Sequence, residues 1–229
     1  ITLLQSLAES RNIPAIVLSE DVGRELVRNV ANGFGLNGDL AAGPALALGV
    51  SESTLLEMTG AYAGILNGGS QVTPYGLVDL RIRGDNESLM DAQGAGIGER
   101  IISQNAAQQL TWMMTKVVQE GTGGRARIDG WEIAGKTGTT QGPRDAWFIG
   151  FTGDYVTGVW MGNDDNSPLT GVTGGGLPAT IWRETMTRVL AGQQPVPLPM
   201  QAPAQASNGT VMEGGTTDAD ADQVLQNVL

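Results

Sequence analysis

The densest concentration of chemistry in the chain is a lysine flanked by hydroxyls. Gly130-Trp-Glu-Ile-Ala-Gly-Lys-Thr-Gly-Thr-Thr140 sets Lys136, one of two lysines in 229 residues, beside Thr137, Thr139 and Thr140 and between Gly135 and Gly138. Two chemistries fit this stretch. Gly130, four residues, then Gly135-Lys136-Thr137 has the spacing of a phosphate loop, whose amides and lysine hold the phosphates of a nucleotide. Such a loop must follow a buried apolar strand and open a helix. Here Gly123–Asp129 before it is polar and broken, and Thr137–Pro143 after it is poor in helix formers, so nucleotide binding is the remote alternative. The other reading is a strand over Trp131–Thr139 whose edge faces a ligand. Lys136, Thr137 and Thr139 then offer one cation and two hydroxyl donors suited to a carboxylate, and Gly138 lets a backbone or substrate come close.

Composition narrows the chemistry available elsewhere. With no histidine and no cysteine, the chain has no Ser-His pair, disulfide or thiolate metal site. A hydroxyl nucleophile would have to be activated by a lysine or a carboxylate. The net charge of −11 argues against nucleic acid as a partner. No run approaches the ~20 apolar residues of a membrane span, and no leader is visible. The chain opens abruptly on Ile1-Thr-Leu-Leu without an initiating methionine, and so reads as a piece of something longer.

The elements that must position Lys136 follow from periodicity. Ile1–Ala8 reads as the end of a helix, and Pro14 predicts a turn over Ser10–Pro14. Ser19-Glu-Asp21 predicts the cap of a helix carrying Val22, Leu26, Val30 and Phe34. Residues 37–49 read as a loop packed on the body. Ser53 predicts the cap of a helix that ends at Asn67-Gly68-Gly69, and Val78, Leu80 and Ile82 alternate with charges as in a half-buried strand. Residues 93–98 read as irregular. Ser103 opens the strongest helix, with Ala107, Leu110, Met114, Val117 and Val118 on one face. Trp131–Thr139, Asp145–Phe151 and Tyr155–Met161 predict three consecutive antiparallel strands. A last helix after Pro178 presents Ile181, Trp182, Met186, Val189 and Leu190. The expected fold class is α+β, an antiparallel sheet packed between helices, occupying residues 1–192. From Gln193 the composition turns rich in proline and acid, which predicts a disordered tail or linker over 193–229.

In their order and spacing, several blocks resemble the transpeptidase domain of class A, bifunctional penicillin-binding proteins. They are Ser10-Arg-Asn-Ile-Pro-Ala15, Ala45–Ser51, Ala61-Tyr-Ala63 with Asn67-Gly-Gly69, Gly121-Thr-Gly123, Ala134–Gln141, Asp145-Ala-Trp-Phe148, Gly158–Asp165, and Thr173-Gly-Gly175 with Leu177-Pro-Ala179. The family uses a Ser-x-x-Lys, a Ser-x-Asn and a Lys-Thr-Gly. Ser10-Arg11-Asn12 matches the second and Lys136-Thr137-Gly138 the third. The first is missing, since Met113 and Ile133 stand three residues before the two lysines. The resemblance implies an incomplete serine β-lactamase/transpeptidase-like fold. It also implies an acyl-serine D,D-transpeptidase that cross-links peptidoglycan stem peptides, is acylated by β-lactam antibiotics, and needs no metal or cofactor. Lys136 would favour the substrate's terminal carboxylate, Thr137 and Thr139 would hydrogen-bond it, and the Thr139 amide would be half of an oxyanion hole. Ser10 would relay a proton to the leaving amine, and Asn12 would hold the substrate amide. A second polypeptide or upstream segment would carry Ser-x-x-Lys and a glycosyltransferase domain, with the parent anchored on the outer face of a bacterial cytoplasmic membrane. A β-lactamase-like hydrolase or a non-catalytic binding module of the same fold is the alternative.

Overall fold

The computed structural model describes residues 1–92 and 96–203. Three short helices open the chain: α1 (Leu3–Ala8), α2 (Asn12–Val22) and α3 (Arg24–Gly33). A 3-10 turn at Pro44–Leu48 leads to α4 (Leu55–Leu66). Four short strands follow: β1 (Ser70–Val72), β2 (Asp79–Arg81), β3 (Ser88–Asp91) and β4 (Ile97–Arg100). Next come α5 (Gln104–Gln119), a 3-10 turn at Gly124–Ala126, the meander β5 (Ala134–Thr139), β6 (Asp145–Phe151) and β7 (Val156–Gly162), and finally α6 (Leu177–Val189). Strands β5, β6 and β7 form one antiparallel sheet in that order, while β1 pairs with β4 and β2 with β3. Among the described residues no helix is long and apolar enough to cross a membrane.

The sheet is a platform with helices on both faces. Strand side chains alternate between faces, and β6 uses both. Phe148 meets Trp182 of α6 edge-on at 5.5 Å between ring centroids, in a cluster with Val118, Ile133, Ala179 and Met186. On the other face Phe151 joins Met114 of α5 and Ala134 of β5, with Tyr62, Ile65 and Leu66 of α4 packed against them. The indole N–H of Trp182 reaches the carbonyls of Thr157 and Gly150 at 2.9 and 3.3 Å, so burying this large ring leaves its donor satisfied. Gly158 lets α4 close on β7, since a Cβ there would lie 2.4 Å from the Thr59 hydroxyl.

Several expectations need correction. Pro14 does not break a helix. It sits in the first turn of α2, where its missing N–H has no intrahelical partner to lose, and the chain reverses earlier, at Ser10 and Arg11. Ser19 is buried inside α2 and caps nothing; the break falls at Gly23, with φ 97°, which separates α2 from α3. The cap of α4 is Thr54, whose hydroxyl accepts from the Glu57 amide while Glu57 accepts from the Thr54 amide. The strand expected around Val78–Ile82 shrinks to β2, and Val78, Leu80 and Ile82 are exposed. Residues 93–95 lie outside the described residues; Ile97–Gly98 belong to β4. Trp131–Ile133 precede β5 instead of belonging to it, because Gly130 at φ 81° and a turn from Ile128 to Trp131 hold them out of the ladder. On α6 the inward face is Ala179, Trp182 and Met186, continued by Leu190 at its C-cap, whereas Ile181 and Val189 are exposed. Lys136 lies within a strand, not at a loop-to-helix junction, so the phosphate-loop geometry is absent here.

Residues 193–203 carry no helix or strand, yet they pack on the body. Leu198 is buried in the cluster of Met114, Ala134 and Phe151. Its amide donates to Glu132 at 2.8 Å, and the Gln201 amide donates to the Gln108 carbonyl of α5. The rest of the expected tail, 204–229, lies outside the described residues.

Candidate active site

Ser10 and Lys136, 126 residues apart, meet at 2.7 Å, with the ammonium donating to the Ser10 hydroxyl oxygen. The approach begins where α1 ends. The Ser10 and Arg11 amides donate back to Leu7 and Ser6, and Ser10 takes a left-handed conformation at φ 56°. That conformation costs a non-glycine residue roughly 1–2 kcal/mol, so the surrounding bonds must enforce it. One of them is long-range: the Thr122 amide, just beyond α5, donates to Ala8 at 3.1 Å. Gly121 permits the contact, because a Cβ there would lie 2.1 Å from the Ala8 carbonyl oxygen. Ser10 is thus carried to Lys136 by the junction of α1 with the exit of α5.

Alternation along β5 sends Lys136 to the α5 face and Thr137 and Thr139 to the other. Lys136 is half-buried beside apolar residues, and desolvation lowers its pKa to about 8. Its ammonium also donates to the Thr137 carbonyl at 3.1 Å. The Thr137 hydroxyl pairs with that of Thr122 at 2.7 Å. The Thr139 hydroxyl oxygen accepts from the Gly174 amide at 3.0 Å, which leaves its own hydrogen free to donate. Gly174 can reach Thr139 only without a side chain, since a Cβ would lie 2.2 Å from the Trp147 carbonyl and 2.4 Å from that of Gly138. The backbone that approaches Gly138 closely is therefore this Thr173–Gly176 loop.

These groups line one cleft of about 1020 Å³. Asn12, exposed in the first turn of α2, lines it with Ser10, Lys136, Thr137, Gly138 and Thr139, so every residue singled out for the site is brought to the same place. Among the described residues the lining includes three cations, Arg11, Arg125 and Lys136, and no carboxylate. In a chain of net charge −11 that is a concentration of positive potential suited to an anion. Among the described residues no group of three or more His, Cys, Asp or Glu side chains is placed to hold a metal ion.

The family model for the penicillin-binding protein transpeptidase domain matches residues 1–187. The chain belongs to this transpeptidase family. It is 33% identical over 217 residues to penicillin-binding protein 1A of Neisseria meningitidis, an alignment covering 91% of this chain and 27% of that protein. It is 35% identical over 185 residues to penicillin-binding protein 1B of Vibrio cholerae, covering 76% and 23%. The chain therefore spans about a quarter of the length of these relatives. The crystal structure of penicillin-binding protein 1A from Haemophilus influenzae superposes with a TM-score of 0.73 at 25% identity, over 87% of this chain and 36% of that one. The PonA1 protein of Mycobacterium tuberculosis in complex with penicillin V superposes at 0.76 and 24% identity, over 88% and 61%, and shares the fold.

Motif reading singles out Ser10, Asn12 and Lys136–Thr139, which line the cleft, and does not single out the residues bonded to them. Thr122 and Gly174 both lie in blocks that carry the resemblance, Gly121-Thr-Gly and Thr173-Gly-Gly. Nothing in their spacing shows that one binds the hydroxyl of Thr137 and the other that of Thr139. Arg125 carries no motif at all.

Proposed function

We propose that this cleft is the carboxylate-binding and proton-relaying wall of a peptidoglycan D,D-transpeptidase of the bacterial cell envelope. The observation that carries this reading is the Lys136–Ser10 contact in a cleft that no carboxylate lines among the described residues. A cation and two oriented threonines await an anionic terminus, and a hydroxyl in contact with an amine of lowered pKa stands beside them.

The attacking serine is supplied by a Ser-x-x-Lys outside these 229 residues, since no serine of the chain stands three residues before a lysine. Beside Ser10, Ile13 and Val17 on α2 are exposed on one side, an apolar surface that a helix bearing that motif would cover. Lys136, Thr137 and Thr139 hold the terminal carboxylate of a stem peptide ending in D-Ala-D-Ala, and Asn12 holds its amide. The serine oxygen bonds to the carbonyl carbon between the two D-alanines. The C–N bond breaks, and the serine's proton reaches the departing amine through Ser10. The Thr139 amide and that of the serine stabilise the oxyanion. An amine of a neighbouring strand then takes the acyl group and releases the serine. β-Lactams enter by the same first step.

Fluorescent penicillin tests this reading. The full-length protein is expected to form a stoichiometric adduct that survives boiling, and the isolated 229-residue chain none. An adduct on the isolated chain, or none on the full-length protein, would overturn it.

A further inference from the structure

The cleft contains a cation that the carboxylate-binding wall does not use. Arg125 lies in the 3-10 turn Gly124–Ala126, between β5 and the exit of α5. Its backbone is anchored on both sides: Ala126 is fully buried in the core cluster under α6, and its amide donates to Gly123. The side chain itself is exposed, lines the cleft, and makes no hydrogen bond or ion pair among the described residues. The contrast with nearby arginines is informative. Arg127 commits its guanidinium to the Val118 and Gln119 carbonyls that close α5, and Arg11 is paired with Glu9 at 2.7 Å. Arg125 faces a cleft that no carboxylate lines among the described residues, in a protein with an overall excess of acids.

We propose that Arg125 is a specificity-determining residue that binds a second carboxylate of the peptide substrate, one carried by an internal residue and distinct from the terminal carboxylate. This rests on the transpeptidase reading of the cleft. The terminal carboxylate already has Lys136, Thr137 and Thr139 along one strand. In the connection that brings Arg125 to the cleft, the residue that touches this group is Thr122, through Thr137. Arg125 enters from the following turn, with a planar fork of donors that matches a carboxylate in two-point contact. A peptide with one carboxylate engages only β5; a peptide with two spans from β5 to this turn.

The full-length protein provides the test. Donor peptides ending in D-Ala-D-Ala are compared with an internal side-chain carboxylate and with the same group as a carboxamide, alongside a penicillin carrying a single carboxylate. Arg125→Ala is expected to lower kcat/KM about tenfold for the dicarboxylate donor, the scale of a charge-assisted contact at an exposed site. It should slow the carboxamide donor and penicillin acylation at most about twofold, the share of one cation in the field of the cleft, and Arg125→Lys should recover part of the loss on the dicarboxylate donor. Equal losses on both donors, or no loss on either, overturn the assignment while leaving the transpeptidase reading intact. Failure of the unsubstituted protein to react with penicillin overturns both.

Discussion

Under the proposed function Lys136 meets two demands that oppose each other: it must be positive to attract a carboxylate, and it is placed where charge is poorly solvated. Its pKa of about 8 against an ordinary 10.5 measures that conflict. Below about pH 8 the amine is protonated; as pH rises through that value the charge is lost. The second-order rate of penicillin acylation of the full-length protein is therefore expected to fall above pH 8. Lys136→Arg, which stays charged, should remove this inflection, and Lys136→Ala should reduce the rate roughly 100-fold at neutral pH. The sign for stability is the reverse. Between about 8 and 10.5 the unfolded chain holds a proton that the folded chain has released, so folding becomes more favourable as pH rises across that window.

At the scale of elements, the site strand is only as well placed as the packing beneath it. Trp182 joins α6 to the sheet by ring contact with Phe148 and by its two carbonyl bonds. Trp182→Ala is expected to cost about 3–5 kcal/mol in urea unfolding, whereas Trp182→Phe, which keeps most of the volume but loses the N–H, should cost about 1–2 kcal/mol. Much of this layer was legible in sequence: the Ser103 cap of α5, the meander, and Pro178 opening α6. Failures came where local preference and tertiary context disagreed. Pro14 reads as a breaker, but a proline in the first turn of a helix breaks nothing. Trp131 and Ile133 have strand character, but the turn at Gly130 keeps them out of the ladder. In the site, Ser10 and Lys136 are visible because their motifs are contiguous. The hydrogen bonds from Thr122 and Gly174 are contacts between distant segments, which leave no spacing to read.

Across the whole molecule, charge is divided: acids prevail overall, while among the described residues the charged groups lining the cleft are cations. Attraction of anionic ligands then depends on a local field working against the net charge, and salt screens it over about 10 Å at 0.1 M. Penicillin acylation of the full-length protein is expected to slow about two- to fivefold between low and high salt, while a donor with its carboxylates amidated should be insensitive. Identical salt dependence for both would show that the cleft's cations do not steer ligands. The stretch 193–203 adds a different consequence. Composition marks it as linker, the kind of segment in which substitutions are treated as silent and truncation points are chosen. Yet Leu198 shares its cluster with Ala134, two residues before Lys136, and Glu132 is bonded to its amide. Variation at Leu198 would thus be felt by the strand that carries Lys136, and a boundary drawn at residue 192 would remove part of the floor on which that strand rests.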